Sequence, residues 1–387
     1  MKQNHIIIVL VTALLASLLM PVSDTQSASP KMFVPKSVFG GSYEVGSAVF
    51  RLVNPWLDAV SRTYGITTRI VPSATDVGRQ ILLRNNVVDI TGGGTEAYLS
   101  SQGLFAFANY EWGPRPIQSA WFGLRMDGNG LIVAADSGIK KIADLKGKRV
   151  GWYPGQDLVN YALTPSVLAF AGLTWDDVKK VNVHSITGGV QAIMTGNVDA
   201  AYGSTIGGYA RELEASSHGI HYMEMPGDDK EGWKRAREIY PLMAPVACTV
   251  GAGVSKEKPK WLESLLFVMM VNEDKPVETV YFMTRSFHET YNIYSKAQTG
   301  VFEGWDIDTS ISLIELSIVP FHKGSVEYFK DIGKWNQKLE SLNQSRIEQY
   351  RKVKAAYDKA KDEALEKQMS AEKFADYWTK RRAELFK

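Results

Sequence analysis

The chain is 387 residues long, 45% hydrophobic, with 44 Lys+Arg against 42 Asp+Glu. That length supports two domains with full cores, and the 10 Trp, 17 Tyr and 15 Phe exclude wholesale disorder. The charge balance excludes the broad cationic footprint of a dedicated nucleic-acid binder, and the lone Cys248 excludes an internal disulfide or a multi-cysteine zinc site.

Lys2 precedes an apolar run over 6–20, broken only by Thr12 and Ser17, and small polar residues follow from Ser23 to Ser29. This is the layout of a cleavable secretory signal, so residues 1–29 are expected to be removed and the mature chain to be periplasmic. The competing reading is an uncleaved anchor, for which the run is short. No cysteine is present for a lipoprotein anchor.

Beyond the signal, short apolar runs alternate with amphipathic helical patterns. The pattern predicts strands at 37–39, 66–71 and 87–90. Between them lie a helix from Ala48 through Val60, kinked or restarted at Pro55, and a helix over 76–84 capped by Asp76. A second series predicts strands at 131–135, 149–152, 181–183 and 200–202, with helices at 158–171 and 190–195 and a stop at Gly172. Such alternation means βαβ units. Segments 119–131 and 247–254 read as crossings between two halves. The expected fold is α/β, of the two-domain periplasmic-binding-protein type (type II-like), with a helical C-terminal extension. The expected division is 30–125 for the first domain, 126–245 for the second, 246–335 for a return to the first, and 336–387 for the tail. That tail has 13 Lys+Arg, 9 Asp+Glu and no Gly or Pro, and reads as amphipathic helices packed on the body or offered to a partner.

Four loops have the position in which open α/β sheets hold ligands, beyond the carboxyl ends of strands. They are Gly40-Gly41-Ser42-Tyr43, Gly92-Gly93-Gly94-Thr95-Glu96, Trp152-Tyr153-Pro154-Gly155-Gln156-Asp157 and Ser185-Ile186-Thr187-Gly188-Gly189, with Gly203-Ser204-Thr205 as a neighbour of the last. Glycines admit a ligand to the backbone, and the Ser, Thr and Gln side chains offer neutral hydrogen bonds. Tyr43, Trp152 and Tyr153 offer flat walls. Two such loops in each half predict an interdomain cleft.

No phosphate-binding, dinucleotide or zincin motif occurs, and no cofactor, metal or catalytic set is expected. His218 and His221 beside Glu224 have a metal-like spacing in a loop-like stretch, His184 reads as a pocket wall, and Cys248 as an inert core residue. An enzyme using these histidines is the remotest reading.

Particular stretches resemble the TAXI family of TRAP-transporter solute receptors. They are Gly40-Gly41-Ser42-Tyr43, Val88-Asp89-Ile90 with Thr95-Glu96, Ala135-Asp136-Ser137-Gly138-Ile139, Asp144-Leu145-Lys146-Gly147-Lys148-Arg149-Val150, Ala171-Gly172-Leu173-Thr174, Gly196-Asn197-Val198-Asp199-Ala200-Ala201 and His322-Lys323-Gly324-Ser325, in that order over roughly residues 35–330. The resemblance implies a monomer that captures a small polar solute, an organic acid or amino acid, and delivers it to a TRAP-type permease. It implies a ligand shell of Ser42, Tyr43, Thr95, Glu96, Gly155, Gln156, Thr187 and Ser204. Trp152-Tyr153 and Asp157 replace small residues of the family's loop, and Glu96 and Asp157 would oppose an anion. The alternative is a sensory or assembly module of the same fold, acting through its C-terminal helices.

Overall fold

The computed structural model describes residues 33–154, 158–240, 243–264 and 266–385. The expected signal lies outside them. The first lobe begins β1(Ser37–Ser42), α1(Ala48–Tyr64), β2(Thr67–Pro72), α2(Asp76–Arg84), β3(Ile90–Gly93), α3(Thr95–Gln102) and β4(Ile117–Gly123). The second holds β5(Asn129–Ala134), β6(Arg149–Trp152), a π turn (Val159–Leu163) leading into α4(Thr164–Phe170), β7(Lys179–Asn182), α5(Ile186–Met194), β8(Ala201–Ser204), α6(Gly208–Ala215), β9(Ile220–Tyr222), α7(Lys230–Ile239), β10(Ala244–Cys248) and β11(Lys260–Ser264). The chain then returns through β12(Phe267–Asn272), α8(Val277–Glu289), α9(Tyr291–Tyr294), α10(Ile307–Ser312) and α11(Lys323–Asp331), and ends in α12(Gln337–Glu366) and α13(Ala371–Leu385).

The first sheet has the order β2-β1-β3-β12-β4. Strands β1, β2 and β3 run parallel, while the returning β12 inserts antiparallel between β3 and β4. The second sheet is β10-β11-β5-β8, with β9 also on β5, and β6 pairs β7 in parallel beside it. Each lobe buries its own apolar cluster, around Trp56, Trp121, Phe282 and Trp305 in the first and Leu131, Val150, Leu168 and Tyr222 in the second. The expected two-domain α/β fold is therefore observed. Its crossings fall at β4–β5 and β11–β12. The first agrees with expectation. The second lies later than 247–254, because β10 and β11 form an antiparallel pair that stays in the second sheet.

Local expectations fail where a distant side chain intervenes. Helix α1 runs unbroken through Pro55. Proline removes the N–H that would bond the Arg51 carbonyl, but Gln298 Nε2 donates to that oxygen at 2.8 Å. Helix α2 is capped by Thr75, whose Oγ1 accepts from Gly78 N at 3.0 Å, and Asp76 stands in the first turn with its carboxylate turned elsewhere. The predicted strand at 87–90 is displaced to β3, so Gly92 and Gly93 are strand rather than loop. Helix α5 starts at Ile186 under a Ser185 cap, so Thr187, Gly188 and Gly189 are its first turn.

The charged tail is a helical hairpin. Val353, Tyr357, Ala360, Phe374 and Trp378 are buried with Ala108 in a third cluster. Tyr357 Oη donates to Asn109 O at 2.5 Å, and Trp378 Nε1 to Gly103 O at 2.8 Å. The hairpin thus packs on the α3–β4 connection. Among the described residues no helix is long and apolar enough to cross a membrane.

Candidate functional site

A cavity of about 70 Å³ lies between the lobes. The first lobe contributes Tyr43 beyond β1, Ser47 at the start of α1, Gly93, Gly94 and Glu96 where β3 passes into α3, and Phe267 from β12. Arg125, in the β4–β5 crossing, enters from the hinge. The second lobe contributes Asn129, Tyr202, Ser204 and Tyr209, with Leu158, Val159 and Ile186 as apolar wall. These are strand ends and helix starts, where an α/β sheet can hold a ligand.

Two buried ionic networks form its frame. In the first lobe, the Arg79 guanidinium stacks on the Tyr43 ring at 3.4 Å. It pairs with Glu96 at 2.5 Å and Asp76 at 3.2 Å, and donates to Gly92 O at 3.1 Å. Tyr43 Oη donates to Asp76. Burial works against the Arg79 cation, but Glu96, Tyr43 and Asp76 outweigh it and hold it protonated. Burial lifts the Glu96 carboxyl above its usual range even with Arg79 beside it. In the hinge, Arg125 makes a forked pair with Asp127 and reaches Asn129 Oδ1 at 3.2 Å and Ser204 Oγ at 3.3 Å. Ser204 Oγ donates to Asp127 at 2.9 Å. Behind them, Tyr202 donates to Glu263, whose carboxyl burial pushes up to about 7.

The lobes touch through helix starts. Leu158 N, opening the helical run 158–170, donates to Asp76 Oδ2 at 3.1 Å. Thr187 N and Oγ1, in the first turn of α5, donate to Glu44 Oε1 at 3.4 and 3.3 Å. Gly208 N, at the start of α6, donates to Gly46 O at 2.9 Å. In each case the second lobe supplies the N–H and the first lobe the acceptor.

Of the residues expected at a site, Tyr43, Glu96 and Ser204 line this cavity. Thr187 meets Glu44 across the lobes, and Gly188 supports the same turn by donating to Ser185 Oγ. Gly41 and Ser42 are buried in β1, with Ser42 Oγ donating to Tyr43 O. Thr205 is buried and donates to Val250 O at 2.7 Å. Tyr153 is no flat wall: it is fully buried in the second lobe, and its hydroxyl accepts from Tyr202 N at 2.7 Å. Trp152 packs edge-on against Trp175 and Tyr161, with Lys180 over its ring. Thr95 starts α3; Gly155 and Gln156 lie outside the described residues.

The histidines do not assemble. His218 Nδ1 meets Asp136 at 2.9 Å, His221 Nε2 meets Lys140 O at 3.2 Å, and Glu224 pairs with Lys260, while His184 is exposed. Among the described residues no group of three or more His, Cys, Asp or Glu is placed to hold a metal ion. Sequence reading missed Glu44, Asp76, Arg79, Arg125 and Asn129. The available signal was Arg125, Asp127 and Asn129, three polar residues clustered in an otherwise apolar crossing.

The profile of the NMT1-like family matches residues 120–333, more than half of the chain. The chain belongs to the NMT1-like family. The matched span of that family runs from β4 through the second lobe and back to α11, so it includes both crossings and the hinge side of the cleft. No curated protein matches the chain in sequence. Among solved structures, it is similar to the periplasmic aliphatic sulphonate binding protein SsuA from Escherichia coli, at 15% identity, 87% of this chain, 94% of that one and a TM-score of 0.42. The alkanesulfonate-binding protein SsuA from Xanthomonas axonopodis pv. citri is similar at 15% identity, 81% and 85% coverage and a TM-score of 0.38. The P235GK mutant of ArgBP from T. maritima is similar at 14% identity, 68% and 95% coverage and a TM-score of 0.39. Likenesses this distant leave the ligand to be argued from the cleft itself.

Proposed function

We propose that this protein is an extracytoplasmic solute receptor, exported by its N-terminal signal, that captures a small polar solute between its lobes and delivers it to a membrane permease. The observation that carries the reading is a cavity lined by polar groups of both lobes and of the hinge, so that one ligand touches everything whose relative position closure changes. Membership of the NMT1-like family accords with it. The ordered TAXI-like stretches of the sequence point to a TRAP-type permease as the recipient. Within the cleft, Tyr43, Glu96, Asn129 and Ser204 hold the solute, and Leu158, Ile186 and Phe267 exclude water from it. Thr187 and Gly188 act at its edge.

The test is calorimetric titration of the secreted protein against organic acids, amino acids, amides and amines, with a melting curve for each variant. Asn129→Ala should keep the fold and lower affinity for a solute so found about tenfold, which is about 1.4 kcal/mol. Unchanged affinity would place the solute elsewhere, and no binding by any class would reject the receptor reading.

A second reading, a sensor acting through its C-terminal helices, has one observation in its favour. Arg382 of α13 bonds Gln102 and lies over the Tyr98 ring on α3, the helix whose first turn carries Glu96 into the cleft. A hairpin so braced is placed to feel what happens at Glu96.

A further inference from the structure

The two apolar clusters are not confined to their lobes. Leu99 of α3 and Phe107 beyond it, each 1% exposed, belong to the cluster of the second lobe, and Val77 of α2 packs against it. In return Ile206, which follows β8 and is 4% exposed, belongs to the cluster of the first lobe, with Val250 packed against it. Aromatic rings meet along the same boundary. Tyr98 of α3 stands edge-on to Tyr240, just past α7, with centroids 6.0 Å apart. Phe105 stacks on Tyr161 of the π turn at 6.1 Å. Phe105 takes this place with a φ of 51°, a region that a bulky side chain keeps only where its surroundings hold it there.

Parting the lobes would bring Leu99, Phe107 and Ile206 into water, the exposure that folded chains resist most strongly. It would also separate Leu158 N from Asp76, Thr187 from Glu44, and Gly208 N from the Gly46 carbonyl. Every one of these contacts joins two protein groups, so each acts whether or not a solute is bound. The cavity enclosed by the joined lobes, about 70 Å³, is under half of the ~150 Å³ that accommodates benzene. A solute of more than a few heavy atoms therefore enters only after the lobes part.

We infer that the joined arrangement is the resting state of this protein, held by apolar side chains exchanged between the lobes, and that solute entry waits on their parting rather than bringing about their closure. The resting state stands on protein contacts alone; its role in solute entry rests on the receptor reading.

The test needs no identified solute. In the secreted protein without added solute, X-ray scattering should give the radius of gyration of the joined structure, and hydrogen exchange should find the Leu158 and Gly208 amides protected. Phe105→Gly relieves the backbone and removes the ring stack. It should speed exchange at those two amides up to about tenfold, with the amides of β4 and β5 unchanged. Should that variant fail to fold, Glu44→Ala, which loses both bonds to Thr187, should have the same local effect. A larger radius of gyration, Leu158 and Gly208 amides that exchange as fast as exposed ones, or a folded variant with unchanged exchange would each overturn the inference. The receptor reading would survive any of these outcomes, and would fall only if the wider panel of solutes failed to bind.

Discussion

His322 caps α11 with its ring. Nδ1 accepts from Gly324 N at 3.0 Å, which leaves Nε2 protonated to donate to Glu273 O at 3.1 Å. Both nitrogens are used by a neutral imidazole, and burial lowers its pKa from 6.5 to about 4. In that interval the unfolded chain binds a proton that the native state refuses, so the stability contributed by His322 is present above 6.5 and lost as pH falls toward 4. The span corresponds to about 3 kcal/mol. Glu263 does the opposite. Its carboxyl is raised by burial from 4.5 to about 7, so its contribution is present at low pH and lost as pH rises through that range. The two trends overlap and offset one another. His322→Asn should therefore expose a stability that falls between pH 4.5 and 7, and Glu263→Gln one that rises with pH between 4 and 6.5, read as urea midpoints. Slopes like that of the unaltered protein would show that neither group is held as described.

At the scale of an element, α1 shows what a helix needs from outside itself. Its buried face, Leu52, Val53, Trp56, Leu57 and Val60, follows the apolar spacing that predicted it. The predicted break at Pro55 is absent because Gln298, 247 positions away in sequence from Arg51, takes the freed carbonyl and also accepts from Arg51 Nε at 2.9 Å. Gln298→Ala should cost about 1 kcal/mol and shift the urea midpoint without changing the slope. An unchanged midpoint would mean that water replaces the side chain there. Helix α5 carries the converse lesson. Its two glycines read as a loop, yet a side chain at Gly189 would come within 2.9 Å of the Tyr153 hydroxyl. The glycine serves a close approach between a helix and a buried tyrosine, a requirement that local chain chemistry does not display.

Across the whole molecule, the C-terminal hairpin is a component of the first lobe's surface rather than a free tail. Asn343 clamps Phe321 through both its nitrogen and its oxygen, Tyr350 Oη donates to Pro114 O at 3.2 Å, and Trp378 is fully buried. Trp378→Ala should remove about 3–5 kcal/mol from the docking of α13. The expected result is faster proteolysis confined to the hairpin, with the lobes intact. Cleavage no faster than in the unaltered protein would show that α13 is held by its ion pairs, such as Arg381 with Glu363.

Composition and periodicity by themselves determined that this chain folds as two α/β halves with a helical extension, because burying an apolar stripe is a local property of spacing and each βαβ unit carries its own punctuation of glycine and proline. They also marked the strand ends at Tyr43, Glu96 and Ser204. Tertiary structure decided the character of the cleft. The same reading placed Trp152 and Tyr153 on the ligand and passed over Glu44, Asp76 and Arg125, because an aromatic is informative in sequence only through its size. Whether it faces solute or core depends on neighbours such as Trp175 and Tyr202. Charge is likewise legible as a count, but its effect depends on which groups meet after folding. A near-neutral chain can therefore frame a cleft with buried ionic networks that its net charge does not reveal.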